Sequence, residues 1–598
     1  MALKRHDLPP ALSSMWRLCK FGYKHEPGLL LAAFLLALLA ALPDALVAVW
    51  IALLGDGVLH GNRSRILIAA IGLGISATAT WLLRTVSTRV QRRFRDKVTI
   101  WLESHVARLQ ASAATIEHHE RPDYLDRLAM LRNQVFVLDH MYMSLFTTCG
   151  WILRLGITVA LLVSIHPALI TLVVFALPTV WTSTWRPEVE RNAWESQASS
   201  QRLARHLFTT ATTAPPGKEV RVTGIGSRLI TDRRGAWEQW YRAVSKERSK
   251  SAIWHSLAWA VFGSAYVGAV VFVSVGLRAP AAQVLLALAA GARLSTYVGA
   301  AVGEIGFLRS IWIDGAKRLA WLEDYVASLT AKADLPVPER LKEGVRFENV
   351  SFAYPGTERL VLEDVSFNIP TGAVVAVVGE NGAGKTTLVK LLSKFYEPSS
   401  GAIYIDGESL ARMPADEWRE RLAGAFQDFF RFELRALHSI GVGDVPRMDE
   451  EKAVIVAVDR AGAADVLTRF PSGFDTQLGP TWPGGVEVSF GQWQKIALAR
   501  AFMRDGPLLV ILDEPTAALD AETEHELFER YAATARNNER SGRITILVSH
   551  RFSTVRMADL IIVLDGAKVA EIGTHEKLMA RGGPYSQLYR IQEAAYRK

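Results

Sequence analysis

The chain has 598 residues, half of them hydrophobic, and a formal net charge of +8. This length allows two large domains, and the apolar residues are concentrated before Ala333, which predicts a membrane part followed by a soluble part. A positive charge can indicate a nucleic-acid-binding protein. Here, however, the lysines and arginines of the first half lie between apolar runs, as in the cytoplasmic loops of membrane proteins. Nucleic acid is therefore not an expected partner.

Six stretches of the first half are apolar enough to cross a bilayer, which takes about 20 residues of helix. The first follows a basic N-terminal segment but is too long for the apolar region of a signal peptide, so we expect it to be retained. The six stretches are Gly28–Leu54, Ile66–Val86, Met141–Ile165, Ala168–Trp185, Ile253–Leu277 and Ala281–Gly303.

Two long basic connections alternate with short connections that carry few charges. The second and third stretches are joined through Arg89–Arg108, and the fourth and fifth through Arg191–Arg234. Because basic loops stay in the cytoplasm, the N-terminus and both long connections should be cytoplasmic. Apolar residues recur every three or four positions in the first connection, which predicts that the spans continue as helices. Each connection has one stretch with Pro and Gly where the chain can turn, Glu117–Leu128 and Pro215–Leu229.

Four charged residues lie in or near the apolar stretches: Asp44, Arg154, Arg293 and Glu304. Charge in hydrocarbon is unfavourable, so such residues face a bundle interior or a water-filled cavity. Two interpretations stay open for each, a role in a substrate cavity or structural pairing with one another.

A polar linker with two prolines, residues 331–344, separates a transmembrane domain, residues 1–330, from a second domain, residues 345–598. In the second domain a β-branched run, Val374–Val378, leads into a phosphate-binding loop that is followed by a helical segment. Lys385 is expected to reach the β- and γ-phosphates, and the Thr386 hydroxyl to hold Mg²⁺. The loop and its first helical residues are Gly379, Glu380, Asn381, Gly382, Ala383, Gly384, Lys385, Thr386 and Thr387.

Two further runs fit buried parallel strands. Leu508–Leu512 ends in Asp513 and Glu514, and Ile544–Ser549 ends at His550. Asp513 suits Mg²⁺ binding, and Glu514 could accept a proton from an attacking water as a general base. Strands that end in a phosphate-binding loop, two acids and a histidine predict one nucleotide site at the carboxyl edge of a sheet.

These motifs resemble those of ATP-binding-cassette (ABC) exporter half-transporters over nearly the whole chain. The resemblance identifies Val488–Gln492 as the signature motif, Ala518–Asp520 as the D-loop and the two turning stretches as coupling helices. It implies an adenine-stacking role for Tyr354, nucleotide contacts for Ser489, Gly491 and Gln492, and a metal and catalytic role for Gln427. It also implies a switch role for His550, a catalytic role for Glu514 and a metal role for Thr386 and Asp513. Phe490 departs from the family, which usually has glycine there.

The resemblance implies a fold and a mechanism. The expected fold is a bundle of six transmembrane helices with long cytoplasmic extensions, plus an α/β P-loop ATPase domain. ATP and Mg²⁺ are the expected cofactors. Each ATP should lie between one P-loop and the signature motif of a second half-transporter, and a homodimer is favoured over a heterodimer because the P-loop, Glu514 and His550 are intact. The chain should lie in the plasma membrane, with its ATPase domain cytoplasmic, in a bacterium.

The substrate is expected to be amphipathic, and a peptide natural product is favoured. Lipid and multidrug export are alternatives, as is an ATP-gated channel or sensor on the same scaffold. A soluble ABC-type ATPase acting on DNA or ribosomes should lack the six apolar stretches. An importer is disfavoured, because importers in the family usually keep membrane and ATPase parts on separate chains.

The alternation of basic and uncharged connections predicts that Asn62 is outside the cell and that Arg92 and Arg228 are cytoplasmic. A cysteine introduced at Asn62 should therefore react with an impermeant thiol reagent in intact cells. A cysteine at Arg228 should react only after lysis. Labelling at Asn62 only after lysis would overturn the six-span topology.

Overall fold

The computed structural model describes residues 8–120, 124, 131, 136–196, 198–308, 312–330, 333–514, 542–549 and 552–596. The chain divides into two compact units. Unit 1 comprises Met1–Arg108 and Arg127–Glu323, and unit 2 comprises Leu109–Asp126 and Asp324–Lys598. The short segment Leu109–Asp126 thus belongs to the unit that contains the C-terminal half of the chain.

The described part of the N-terminal half consists of helices joined by turns and short loops. Its helices are α1 (Ala11–His25), α2 (Pro27–Leu39), α3 (Leu42–Leu59), α4 (Arg63–Ala111), α5 (Phe136–Ile165), α6 (Thr171–Ser196), α7 (Ala198–Thr212), α8 (Gly217–Thr223), α9 (Gly226–Val271), α10 (Ala281–Phe307) and α11 (Ile313–Thr330).

Each of the six predicted apolar stretches forms helix, but only five of the resulting spans are long and apolar enough to cross a membrane among the described residues. The fourth stretch lies in a 3₁₀ turn, Pro167–Ile170, and in α6, which continues to Ser196; the apolar part counted among the described residues is Pro167–Ser183. The first stretch is split between α2 and α3, where Pro43 occupies the first turn of α3. Proline lacks a backbone N–H, so it starts a helix more readily than it continues one. The predicted extension of the second span is confirmed by the 49 residues of α4.

Small residues line the packed interior of unit 1. Ala48 of α3, Ala290 of α10 and Ala176 of α6 are buried in one cluster with Phe262 of α9. Gly291 of α10 faces Tyr266 so closely that an added Cβ would lie 2.3 Å from its ring. Small side chains let apolar helices approach and gain van der Waals contact where no hydrophobic effect drives association.

The C-terminal half contains strands and short helices. These are β1 (Gly344–Ala353), β2 (Leu360–Pro370), β3 (Val374–Gly379), α12 (Lys385–Leu392), β4 (Ser400–Ile405), β5 (Glu408–Ser409), α13 (Ala415–Glu420), β6 (Leu422–Ala425), α14 (Ala436–Gly441), α15 (Glu451–Arg460), α16 (Ala464–Leu467), α17 (Phe490–Ala501), β7 (Leu509–Asp513), β8 (Ile544–Val548), α18 (Phe552–Val555), β9 (Leu560–Asp565), β10 (Lys568–Gly573), α19 (His575–Arg581) and α20 (Pro584–Tyr596).

Two sheets are formed by the described strands. The larger has the order β10-β9-β3-β8-β7-β6, and all its neighbours are parallel except the pair of β9 with β10. The smaller sheet, β2-β1-β4-β5, is antiparallel. Every residue of β3, β7 and β8 is buried, as expected for parallel strands that are covered on both faces.

Residues alternate between two apolar clusters along β7 and β8. Ile511 and Ile546 pack with Leu388 of α12, whereas Leu512 and Leu547 pack with Trp493 of α17. Because successive side chains of a strand point to opposite faces, α12 and α17 cover opposite faces of the larger sheet.

Candidate functional site

Four strands of the larger sheet end at one edge, and three of them, β3, β6 and β7, end at or just before predicted site residues. Strand β3 leads into the phosphate-binding loop, β7 ends at Asp513, β6 is followed two residues later by Gln427, and β8 is followed by Ser549. Val548 of β8 lies in register with Asp513 of β7 and with Val377 of β3. The structure therefore brings together the groups that the sequence placed at one sheet edge. His550 and the D-loop lie outside the described residues.

The phosphate-binding loop depends on glycine where it turns into α12. Gly384 has a φ of +98°, and a Cβ added there would lie 2.8 Å from the Val361 carbonyl oxygen. Only glycine tolerates that backbone and that contact. Residues Glu380, Asn381 and Gly382 are exposed, so the loop is open to solvent at the start of a helix. Such a helix N-terminus attracts phosphate.

The Lys385 side chain binds carbonyl groups of the phosphate-binding loop. Its Nζ donates to the Gly379 and Glu380 carbonyl oxygens, at 2.9 Å each. Burial lowers the pKa of Lys385, while the charges of Glu514 and Asp513 act in the opposite direction. The ammonium group is thus held next to the loop by carbonyl dipoles and two carboxylates. It is positioned to pair with an anionic ligand such as a nucleotide phosphate.

Asp513 is the most buried acid of the site. It is 1% exposed, its Oδ1 accepts from the Thr386 hydroxyl at 3.4 Å, and its Oδ2 has no hydrogen-bond partner among the described residues. Burial raises the pKa of Asp513 to about 6, which the Thr386 hydroxyl partly offsets. A buried carboxylate oxygen without a partner beside a hydroxyl fits the oxygen ligands that Mg²⁺ prefers.

Glu514 and Gln427 contact each other at the mouth of the site. Gln427 Nε2 donates to Glu514 Oε2 at 2.8 Å, and the Glu514 N–H donates to the Val548 carbonyl at 3.0 Å. Glu514 has a φ of +46°, an uncommon conformation for a residue other than glycine that often marks functional positions. Gln427 is exposed and Glu514 is half-buried, so the carboxylate remains accessible to a water molecule.

Tyr354 lies beside the first turn of α12. Its hydroxyl is 3.0 Å from Thr387 Oγ1, and its ring meets Phe352 and Tyr396 edge to face. Lys390 Nζ lies 5.7 Å from the ring centroid. These contacts hold the tyrosine next to the phosphate-binding loop, and its predicted stacking on adenine stays a prediction.

The signature segment begins a helix with a complete capping box. Ser489 is the N-cap of α17, the Ser489 N–H donates to Gln492 Oε1 at 2.9 Å, and the Gln492 N–H donates to Ser489 Oγ at 3.4 Å. Reciprocal bonds of this kind satisfy two N–H groups that a helix start leaves free. Trp493 and Val488 are buried on either side of this helix start, so the signature segment is held against an apolar cluster of the domain.

Phe490 does not disturb this helix start. It occupies the first position of α17, and it is not among the residues with positive φ, so a residue with a side chain fits the backbone. Its side chain is 53% exposed and its ring lies 5.5 Å from that of Phe429. Arg431 lies 5.8 Å from the same ring. The ring therefore packs beside the segment that follows Gln427.

Two arginines outside the predicted set hold parts of the site in place. Arg500 of α17 donates to the carbonyls of Ser439 and Phe430 at 3.0 and 3.1 Å, and burial lowers the pKa of Arg500 to about 10. Arg419 donates to the Ala114 and Lys394 carbonyls. Arg500 lies shortly after the signature motif in the sequence, so the motif could have been used to predict a role for it. Arg419 has no local motif, and its contact lies 305 residues away along the chain.

Comparisons with known proteins agree with this geometry. The ABC transporter family profile matches residues 362–517. An ATP-dependent lipid A-core flippase of Burkholderia pseudomallei (strain 1710b) is 39% identical over 255 residues, which are 42% of this chain and 41% of that protein. A proposed multidrug export ATP-binding/permease protein of Bacillus subtilis (strain 168), YgaD, is 38% identical over 263 residues, 44% of this chain and 43% of its own length. The matches thus span about two fifths of these curated relatives.

A solved structure has a similar fold over most of the chain. A bacterial Atm1-family ABC exporter with ATP bound aligns with a TM-score of 0.72 and 24% sequence identity, covering 94% of this chain and 98% of that one. Residues 362–517 therefore match an ABC transporter domain. The chain as a whole has the fold of that ABC exporter, and five helices of its described part are long and apolar enough to cross a membrane.

The raised pKa of Asp513 predicts how its charge affects stability. A carboxyl whose pKa is about 6 in the folded state and about 3.9 in the unfolded state destabilises the folded protein by about 3 kcal/mol once both forms are ionised. The stability that the protonated acid contributes is lost as the pH rises through 6. Asp513→Asn should therefore raise the melting temperature at pH 8, without nucleotide and with a chelator, and about half of the gain should remain at pH 5.

Asp475→Asn is the matched control, because the Asp475 carboxylate is 76% exposed. This variant should leave the melting temperature unchanged at either pH. A melting temperature of Asp513→Asn at or below the wild-type value at pH 8 would contradict the destabilising charge.

Proposed function

We propose that the chain is one subunit of an ATP-driven exporter of an amphipathic substrate. The observation that carries the proposal is the convergence of the phosphate-binding loop, Asp513, Glu514 and Gln427 at one sheet edge. These groups belong to a chain whose first half supplies helices suited to a membrane. An ATP site and apolar helices on one chain support coupling of hydrolysis to movement across a bilayer.

The residues divide the chemistry of ATP hydrolysis among them. Backbone N–H groups of the loop and the Lys385 ammonium bind the phosphates. Glu514 accepts a proton from the attacking water, and the Gln427 amide orients the Glu514 carboxylate through their 2.8 Å hydrogen bond. Thr386 and Asp513, which contact each other, would hold Mg²⁺ together with Gln427, and the ion would supply positive charge to neutralise the phosphate oxygens.

A second subunit would complete each site. The loop opens α12 on one face of the larger sheet, whereas the signature residues Ser489, Gly491 and Gln492 open α17 on the other face. This arrangement supports a dimer in which the signature of one chain meets the ATP bound by its partner. A homodimer is favoured because Lys385, Asp513 and Glu514 are all present in one chain.

The substrate class is best supported as lipid-like or drug-like. The relatives compared above are a lipid A-core flippase and a proposed multidrug exporter, which supports the lipid or multidrug alternative better than the peptide natural product that the sequence favoured. An ATP-gated channel or sensor on the same scaffold is the second candidate, and it differs from an exporter in that it cannot move a substrate uphill.

The proposal predicts uphill transport that depends on Glu514. Proteoliposomes containing the purified chain should accumulate a fluorescent amphipath against its gradient when ATP and Mg²⁺ are supplied. Glu514→Gln should bind ATP yet lower the hydrolysis rate by about 10²- to 10⁴-fold, because a positioned general base contributes that much, and uphill flux should cease. ATP hydrolysis and flux are measured in the same vesicles. Flux that runs only downhill would favour the channel.

Lys385→Ala separates binding from chemistry. Because Lys385 pairs directly with phosphate, this variant should lose ATP affinity, whereas Glu514→Gln should retain it. Equilibrium binding of a fluorescent ATP analogue distinguishes the two. Near-normal hydrolysis by Glu514→Gln would refute the base assignment.

The chain purified alone should form a dimer with measurable ATPase activity, and Phe490→Gly should leave that activity equal or higher. The reason is that Ser489 and Gln492 cap α17 through backbone bonds that do not involve the Phe490 side chain. Ser489→Ala is the contrasting variant, because it removes a cap and should lower activity. Light scattering and phosphate release measure the two properties. An inactive but folded preparation that a second subunit rescues would contradict the homodimer.

A further inference from the structure

Three helices of unit 1 bring two arginines to one carboxylate. Asp44 of α3 contacts Arg154 of α5 and Arg293 of α10. Arg154 Nε lies 3.2 Å from Asp44 Oδ2, and Arg293 NH1 lies 2.5 Å from Asp44 Oδ1. All three residues fall within apolar helices long enough to span a membrane. The sequence alone left open whether these charges pair with one another, and the structure shows that they do.

One carboxylate does not satisfy both guanidinium groups. Asp44 Oδ2 also accepts from the Tyr297 hydroxyl at 2.9 Å, and Arg154 Nε makes no hydrogen bond among the described residues although it is buried. Arg154 turns another nitrogen to the Ala40 carbonyl, at 3.3 Å, and its guanidinium lies 4.6 Å over the Trp151 ring. A carbonyl and an aromatic ring are weaker partners than a second carboxylate, and no group of opposite charge other than Asp44 pairs with Arg154 among the residues that the structure describes.

The cluster therefore carries a net positive charge of one unit in the described structure. Its side chains are 16%, 25% and 31% exposed for Arg154, Asp44 and Arg293. Charge exposed to hydrocarbon is unfavourable, so the exposed side of such a cluster faces water or protein rather than lipid tails. An open and cationic position among apolar helices suits the anionic group of a molecule whose remainder is apolar.

We infer that Arg154 and Arg293 form a binding site for the anionic headgroup, phosphate or carboxylate, of the amphipathic substrate. The inference rests on the proposed export function and deepens it by naming the charge of the substrate. Guanidinium groups suit this role because their planar N–H groups match the oxygens of phosphate and carboxylate. The Trp151 and Tyr297 rings, 5.8 Å apart, add apolar surface next to the charge.

Asp44 acts as an internal counter-ion in this site. It holds the arginines in position when no substrate is bound, and it competes with an incoming anion for the same N–H groups. The carboxylate also prevents two cations from standing unpaired among apolar helices. Removing its charge should therefore tighten the binding of anions.

The first experiment uses the unmodified chain. The protein, purified in a neutral detergent, is titrated with hexadecyl phosphate, hexadecylphosphocholine and hexadecyltrimethylammonium, and native mass spectrometry gives the dissociation constant for each. The three probes share one alkyl chain, so differences report the headgroup. The anionic probe should bind about tenfold more tightly than the other two, because hydrogen bonds to a charged partner contribute that much. Equal binding of all three, or preference for the cation, would overturn the inference.

Variants then test which residues cause the preference for the anionic probe. Arg293→Gln and Arg154→Gln should each abolish the preference for the anion while leaving the cationic probe unaffected, and Arg293→Lys should retain part of it. Asp44→Asn should strengthen the preference. Arg65→Gln is the matched control, because it removes an arginine of the same helical half that pairs with Asp56, away from this cluster. A preference that survives in Arg293→Gln and Arg154→Gln, or that is lost equally in Arg65→Gln, would show that the anion binds elsewhere.

The outcomes keep this inference separate from the proposed function. Should Arg293→Gln fail to fold, as judged by its melting temperature, the wild-type probe series and Arg293→Lys still decide the question. Uphill flux of a neutral or cationic amphipath, without any anion preference, would overturn the anionic site and leave the exporter intact. Anion binding without ATP-driven flux would contradict the proposed export function and would still support the anion-binding site.

Discussion

The candidate site depends on the complete burial of parallel strands β3, β7 and β8. Apolar clusters cover both faces of these strands, so polar groups reach water only where the strands end. Parallel neighbours place those ends at one edge of the sheet, and the register of Asp513 with Val548, and of Val548 with Val377, fixes their spacing. Glycines then let the loop after β3 fold back tightly enough for Lys385 to reach its carbonyls. Apolar packing thus sets the geometry of a highly polar site.

The same burial makes it unfavourable for two residues of the site to be charged. Desolvation lowers the pKa of Lys385 and raises the pKa of Asp513, so burial disfavours the charged form of both residues. Their mutual attraction offsets part of that cost, and a nucleotide phosphate with its divalent ion would offset more. We expect such a site to bind an anion and a cation together better than either alone, because each would offset the desolvation of one protein charge.

Local motifs predicted the site better than they predicted its surroundings. The loop, Asp513 and Glu514 were found from the sequence because each follows a buried strand within a few residues, and the structure brings them together. The fold class was predicted from apolar runs, but the division of the first run next to Pro43 was not, because hydropathy does not record where a helix breaks. The partners of Asp44 lie 110 and 249 residues away, and the position of the Phe490 ring depends on a loop 61 residues earlier. Such pairings are set by packing that no short window of sequence contains.

Helix α12 links the phosphate-binding loop to the segment Leu109–Asp126. The N-terminus of α12 carries Lys385, and the chain just after its C-terminus binds that segment through a 3.1 Å bond from the Ile116 N–H to the Phe395 carbonyl. Arg419 bridges the Lys394 and Ala114 carbonyls, and the Tyr396 hydroxyl donates to Glu120. Because α12 is a rigid element of eight residues packed in the main core, a shift of its phosphate-binding end must displace the other end as well. We propose these contacts as a physical path by which nucleotide binding would reach the segment Leu109–Asp126, through the bonds of Ile116, Arg419 and Tyr396.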